Sequence, residues 1–184
     1  MTSGDSDALV MVGYDESLAI MKRLHRRSQR WYLVDGNLTD YSKDLPHAAL
    51  TGARGTMPGA TVDAAFLRRM QAMDPGLTEN VWAAESYDAV VVAALAARAA
   101  QGDLGRSVAG HLAAVSGGGQ RCTTFRKCAE LLEAGRDIDY DGLSGRIEFD
   151  SNGDVGEGTF EIFTYGRDNT YSLTARRVVR HMAE

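Results

Sequence analysis

Asp150, Asn152 and Asp154 stand at alternate positions in FDSNGDVGEGTFE, and Glu161 falls where the twelfth ligand of a calcium loop would be. That spacing suits a hard cation held by oxygens. Two features oppose it. The sixth position of such a loop needs Gly for a sharp turn, and here it is Val155, with Gly156 one place late. The loop must also be flanked by helices. Instead GRIEF alternates before it, with Ile147 and Phe149 on one face, and TFEIFTY alternates after it, with Phe160 and Ile162 on one face. Period two on both sides of Asn152-Gly153 predicts a β-hairpin whose turn uses φ > 0. No metal ligands are assigned.

Tyr14 and Asp35 are the second candidates. ALVMVGY (Ala8–Tyr14) is a short continuous apolar run, which predicts a strand buried on both faces of a parallel sheet. DESLAIMKRLHRRS follows with Leu18, Met21, Leu24 and His25 on one stripe, a helix, and WYLVDG (Trp31–Gly36) is a second strand. Tyr14 and Asp35 therefore close two neighbouring strands at their C-terminal ends, where ligands of open α/β sheets bind. The plainer readings are a turn or cap role for Asp35 and partial burial at the sheet edge for Tyr14.

Other chemistries lack their residues. The chain has no GxSxG, Walker A, HExxH or CxxC, and His25, His47, His111 and His181 are scattered without metal spacing. SGGGQ (Ser116–Gln120) lacks the Lys-Ser/Thr of a phosphate loop and follows a helix, so it reads as a flexible turn. Cys122 and Cys128 are six residues apart. Within one regular helix they are too far apart to bond, but a helix starting after Cys122 lets the loop close. Composition leaves free thiols and a disulfide clip equally open.

The elements between these residues follow from period and caps. LTDYSKDL reads as a short helix capped by Thr39, and ALTGARGTMPG as an extended segment stopped by Pro58 and Gly59. TVDAAFLRRMQAM is a helix with Val62, Phe66 and Met70 on one side. ESYDAVVVAALAARAAQG is a long helix, apolar nearly all round, as buried helices are. LGRSVAGHLAAV and TTFRKCAELLEAG add two helices, and TYSLTARRVV closes the chain as a strand. This order is α/β with a sheet interrupted in the middle.

Composition bounds the function. The 184 residues carry a formal net charge of −5 and 44% hydrophobic residues, which is globular with no basic stripe for nucleic acid. The densest basic run, KRLHRRSQR (Lys22–Arg30), suits the C-terminus of a helix. The longest apolar run, Ala89–Ala97, is too short to span a bilayer. No signal peptide is read ahead of the first strand.

Four stretches in order, DALVMVGYDESLAIMKRL, WYLVDGNL, AAESYDAVVVAALAA and LSGRIEFDSNGDVGEGTFEIFTY, resemble the C-terminal half of type I periplasmic solute-binding proteins of the branched-chain amino-acid ABC transporter class. The segment CTTFRKCAELLEAGRDIDYDG is similar to a cysteine-bearing insertion of actinobacterial lipoprotein members. The resemblance implies halves of two Rossmann-like lobes ending in a β-hairpin. Residues 1–57 would belong to the second lobe, 58–146 to the first, and 147–184 to the second again. It implies reversible capture of a small polar solute, an amino acid, in an interlobe cleft, with no cofactor and no bond chemistry. Asp35 would pair with the ligand's ammonium, Tyr14 would line the cleft, and Trp82 and Glu85 would stand near its mouth. It further implies a Cys122–Cys128 disulfide, an ABC permease as partner, an extracytoplasmic, membrane-tethered location, and self-association of the fragment through open sheet edges. The competing readings are an α/β enzyme or the effector-binding domain of a regulator. Acidic residues after the first strand, in VGYDES, oppose a phosphate-binding enzyme.

Overall fold

A computed structural model describes residues 6–24, 29–77, 80–150 and 152–180. In chain order the elements are β1 (Ala8–Met11), α1 (Ser17–Leu24), β2 (Arg30–Leu33), β3 (Arg54–Pro58), α2 (Ala64–Met73), α3 (Ala83–Ala99), α4 (Gly105–Ala109), α5 (Leu112–Val115), β4 (Gln120–Cys122), α6 (Phe125–Glu133), β5 (Ile138–Tyr140), β6 (Glu157–Tyr165) and β7 (Tyr171–Arg180). Contacts divide them into two compact units. One comprises Met1–Pro58 with Phe160–Arg177, the other Gly59–Thr159 with Val178–Glu184.

The first unit is built on a five-stranded sheet of order β1-β2-β3-β6-β7. β1, β2 and β3 are parallel, and β6 returns antiparallel to β3. Side chains alternate across it. The row Met11, Leu33, Gly55 and Phe163 is in register and faces the core. There α1 supplies Met21 and the segment after β2 supplies Leu38, Tyr41, Leu45 and Leu50. A Cβ on Gly55 would collide with the end of the Leu38 side chain, which would have to turn away within the core. The opposite row, Val10, Tyr32, Arg54 and Thr164, reaches Thr174 of β7.

That opposite face corrects one expectation. The first strand is not buried on both faces, for Val10 and Val12 are 66% and 78% exposed. β1 is an edge strand covered on one side only, and a continuous apolar run does not encode where in the sheet a strand lies. LTDYSKDL also differs: it forms turns, not a helix. Asp40 accepts the Ser42 N–H at 2.8 Å, and the Tyr41 hydroxyl donates to the Asn37 carbonyl at 2.8 Å. These local bonds, with Pro46 next, outcompete a helix. The helical stripe of α1 is described to Leu24; His25 and the centre of the basic run lie outside the described residues.

The second unit holds α2 to α6 around the parallel pair β4–β5. α3 buries Ala84, Asp88, Val91, Val92, Leu95 and Ala96, while Val90 is 70% exposed. It is a one-sided helix despite its all-round apolar sequence. Each buried Val or Leu on this stripe contributes about 1.5–3 kcal/mol by leaving water. Asp63 caps α2 by accepting the Phe66 N–H at 2.7 Å. LGRSVAGHLAAV breaks into α4 and α5 at Gly110-His111. SGGGQ is not free: Ser116 bridges Asp139, and a Cβ on Gly119 would collide with the Ile138 backbone.

The turn at Gly153 exists, with φ 86°, but its hairpin is short. Phe149 and Val155 form an isolated antiparallel bridge, and Asp150 N–H donates to the Asp154 carbonyl at 2.9 Å. The long hairpin is β6–β7, closed where Gly166 N–H donates to the Thr170 carbonyl at 2.9 Å. The Asp150 carboxylate accepts the N–H groups of Asn152 and Asp154 at 2.8 and 3.0 Å, the work of a turn residue.

Candidate ligand-binding residues

The parallel register of β1 and β2 sets the loops after Met11 and Leu33 side by side. Both loops use glycine for closeness. A Cβ on Gly36 would stand 2.7 Å from the Gly13 carbonyl oxygen and 3.0 Å from Cδ1 and Cε1 of Tyr14. The Tyr14 ring thus lies against the Gly36 backbone, one residue from Asp35. Tyr14 and Asp35 thus stand in adjacent loops after neighbouring parallel strands, the placement that the strand-end reading expected.

Tyr14 is 71% exposed, which removes the partly buried alternative. Its N–H donates to Glu16 Oε1 at 2.9 Å, and its carbonyl accepts the Ser17 N–H at 2.9 Å. The bond from Tyr14 N–H holds the Glu16 carboxyl below the usual carboxylate range. Asp35 opens a 3-10 turn (Asp35–Asn37) and is exposed. The turn's side-chain bond is made by Asn37, whose Oδ1 accepts the Val34 N–H at 2.9 Å. The Asp35 carboxylate makes no hydrogen bond or ion pair with the described residues, so the turn does not consume it. A carboxylate without a partner among the described residues, in the loop next to an exposed aromatic ring, suits an ammonium group.

Trp82 and Glu85 meet separately, in the second unit. Trp82 precedes α3 in the left-handed region, φ 62°, and is 42% exposed. Glu85, in the first turn of α3, accepts the Ala60 N–H at 2.7 Å through Oε1, while Oε2 is buried without a protein partner. A Cβ on Gly59 would stand 3.3 Å from Glu85 Oε1 and 3.5 Å from Trp82 Cε3. Glu85 is therefore in part a staple of the Gly59-Ala60 turn.

Cys122 ends β4, and Cys128 lies in the first turns of α6, which Thr124 caps by accepting the Lys127 N–H. Because the helix starts after Cys122, the two are bonded with Cα atoms 5.4 Å apart. Sequence reasoning missed Asp88. This α3 carboxylate is 1% exposed and accepts the Tyr140 hydroxyl at 2.8 Å, the Leu143 N–H at 3.0 Å, and the Ser144 N–H and hydroxyl at 2.6 Å each. Burial and this carboxylate push the Tyr140 hydroxyl well above the ordinary phenol range. Its place on the buried stripe was the signal available. Among the described residues, no three His, Cys, Asp or Glu side chains gather as a metal site, and no helix is long and apolar enough to cross a membrane.

Residues 22–168 match the profile of the family described as "Receptor family ligand binding region". The chain is 35% identical over 92 residues to the chemotactic signal transduction system substrate-binding protein BasB of Halobacterium salinarum, covering 48% of this chain and 22% of BasB. The leucine-binding protein LivK of Thermotoga maritima shares its fold with a TM-score of 0.60 at 17% sequence identity, over 95% of this chain and 45% of LivK. The chain thus spans less than half the length of each.

Proposed function

From the premise that the chain belongs to the receptor-family ligand-binding-region family, we propose that it is a substantial part of a solute-binding protein that captures a small amino-acid-like molecule reversibly. The observation that carries this reading is the exposed Asp35 carboxylate, without a hydrogen bond or ion pair among the described residues, one residue before the Gly36 backbone against which the Tyr14 ring lies. Asp35 takes the solute's ammonium and Tyr14 supplies an aromatic wall and a hydroxyl. Trp82, a half-exposed ring, and Glu85, whose Oε2 is buried without a protein partner, are proposed as further contacts. One lobe takes residues 1–57 and the other 58–146, in line with the two compact units. Ile147 and Phe149 pack with the core of the second unit, so the return to the first lobe starts at Phe160 and not at residue 147 as the sequence suggested. No bond is made or broken, and no cofactor takes part. The disulfide and the family suit an extracytoplasmic setting.

Two partners are compatible with this role. An ABC permease follows from the transporter class the sequence resembles. A chemotaxis transducer is the alternative, favoured by the likeness to BasB, which is named for that system. A thermal-shift screen of the twenty amino acids against the full natural chain tests the reading. It expects one or a few related amino acids to raise the melting temperature in a saturable way, and a flat screen opposes it.

The uncovered sheet face supports a further proposal. β1 is an edge strand with Val10 and Val12 exposed. Unpaired edges with apolar side chains recruit other strands. The 184-residue chain by itself therefore associates with a second copy through β1.

A further inference from the structure

Asn37 is 2% exposed, yet every polar atom of its side chain has a partner. Its Oδ1 accepts the Val34 N–H at 2.9 Å. Its Nδ2 donates to the Met11 carbonyl at 3.0 Å and to Ser17 Oγ at 3.3 Å. Its own carbonyl accepts the Tyr41 hydroxyl. One planar amide thus joins three places: the end of β1, the first residue of α1, and the turn after β2. These are the three anchor points of the loops that carry Tyr14 and Asp35. Ser17, itself 1% exposed, also sets the floor beneath Gly13, where a Cβ would stand 2.7 Å from its Oγ.

We propose that Asn37 is a positioning residue that fixes the Tyr14 ring against Gly36 and so sets the spacing between Tyr14 and Asp35. Only a side chain with one acceptor and two donors on a short planar group meets all three partners. Aspartate has nearly the same shape but would oppose an oxygen to the Met11 carbonyl. Leucine would leave Val34 N–H and the Met11 carbonyl buried without partners. A binding site holds its geometry only when the residues behind it are locked in this way. The functional consequence rests on reading Tyr14 and Asp35 as solute contacts; the positional one does not.

The test uses the full natural chain and its Asn37→Asp, Ser17→Ala and Asp35→Asn variants. The first readout needs no solute: the nuclear Overhauser contact between the Tyr14 ring protons and the Gly36 α protons. Asn37→Asp is expected to lose that contact and shift the amides of Gly13, Tyr14 and Gly36, while those of Tyr140 and Ile138 stay in place. Ser17→Ala, which removes one partner and keeps the fold, is expected to weaken the contact, and it decides the matter if Asn37→Asp does not fold. A folded variant set with the native contact intact overturns the proposal, even if melting temperatures fall. Titration with L-leucine as probe is the second readout, where Asn37→Asp is expected to bind about tenfold more weakly. If Asp35→Asn binds L-leucine as tightly as the unaltered chain does, that reading of Asp35 fails, while the solute-free contact still decides the role of Asn37.

Discussion

The ring of Tyr14 lies directly against Gly36, so close that a Cβ there would stand 3.0 Å from two of its carbons. Gly36→Ala must therefore push the ring aside or shift the Gly13 carbonyl, which is nearer still at 2.7 Å. The cost to folding is roughly 1–3 kcal/mol, as for other overpacked sites. Urea denaturation measures it; a neutral result would mean that the loop yields freely.

Asp88 makes a buried polar cluster, with four donors on one carboxylate. Asp88→Ala leaves those donors without their acceptor and is expected to cost roughly 3–4 kcal/mol. The midpoint of denaturant unfolding should fall accordingly. A loss under about 1 kcal/mol would show that water or neighbouring groups replace the carboxylate.

The Cys122–Cys128 bond closes a short loop from β4 into α6, with both cysteines in the core. Its loss is expected to lower stability by about 2–3 kcal/mol. Intact mass without reductant should be two hydrogens below that of the reduced chain, and two thiols open to alkylation in the unreduced folded protein would refute the bond.

Tyr41, Tyr140 and Tyr165 all have hydroxyls raised above the ordinary phenol value of 10.0, chiefly by burial. A group that holds its proton more tightly when folded adds stability below its unfolded pKa, and that stability is lost as pH rises above it. Stability should thus fall progressively above about pH 10. Spectrophotometric titration should show these three ionising late, or only with unfolding. Seven tyrosines titrating together near the ordinary phenol value in folded protein would contradict this.

Association through β1 is expected to appear as a concentration-dependent rise in sedimentation coefficient of the 184-residue chain. Lysine at Val10 and Val12 should abolish it, since charge blunts an edge strand. A monomer at all micromolar concentrations would count against an open β1 edge.

Much of this was legible from local pattern. Strand β1 and strand β2 announced themselves by apolar runs, so the adjacency of Tyr14 and Asp35 followed from parallel strand order. The helices of TVDAAFLRRMQAM and TTFRKCAELLEAG were legible too, though the caps that start them, Asp63 and Thr124, were not, and the one cap read from the sequence, Thr39, starts no helix. What stayed hidden depends on partners distant in sequence. β4 and β5 have three residues each, too few for a period to show, and exist because they pair with each other. The exposure of Val10 and Val12 reflects which face of the sheet the core covers, and no local window contains that. Asn37 and Asp88 look like ordinary turn and helix residues until the segments they join, 20 to 56 residues away, are in place.

The account turns on Asp35, and calorimetric titration of the full natural chain against its best amino-acid ligand tests it most directly. A carboxylate facing an ammonium makes a charge-assisted bond, and removing it leaves the ligand's charge poorly solvated. Asp35→Asn is expected to weaken binding by about 2–4 kcal/mol while leaving the melting temperature of the solute-free protein unchanged. An affinity within a factor of about three of the unaltered chain, less than 1 kcal/mol, would show that Asp35 is a turn residue and that the solute is held elsewhere.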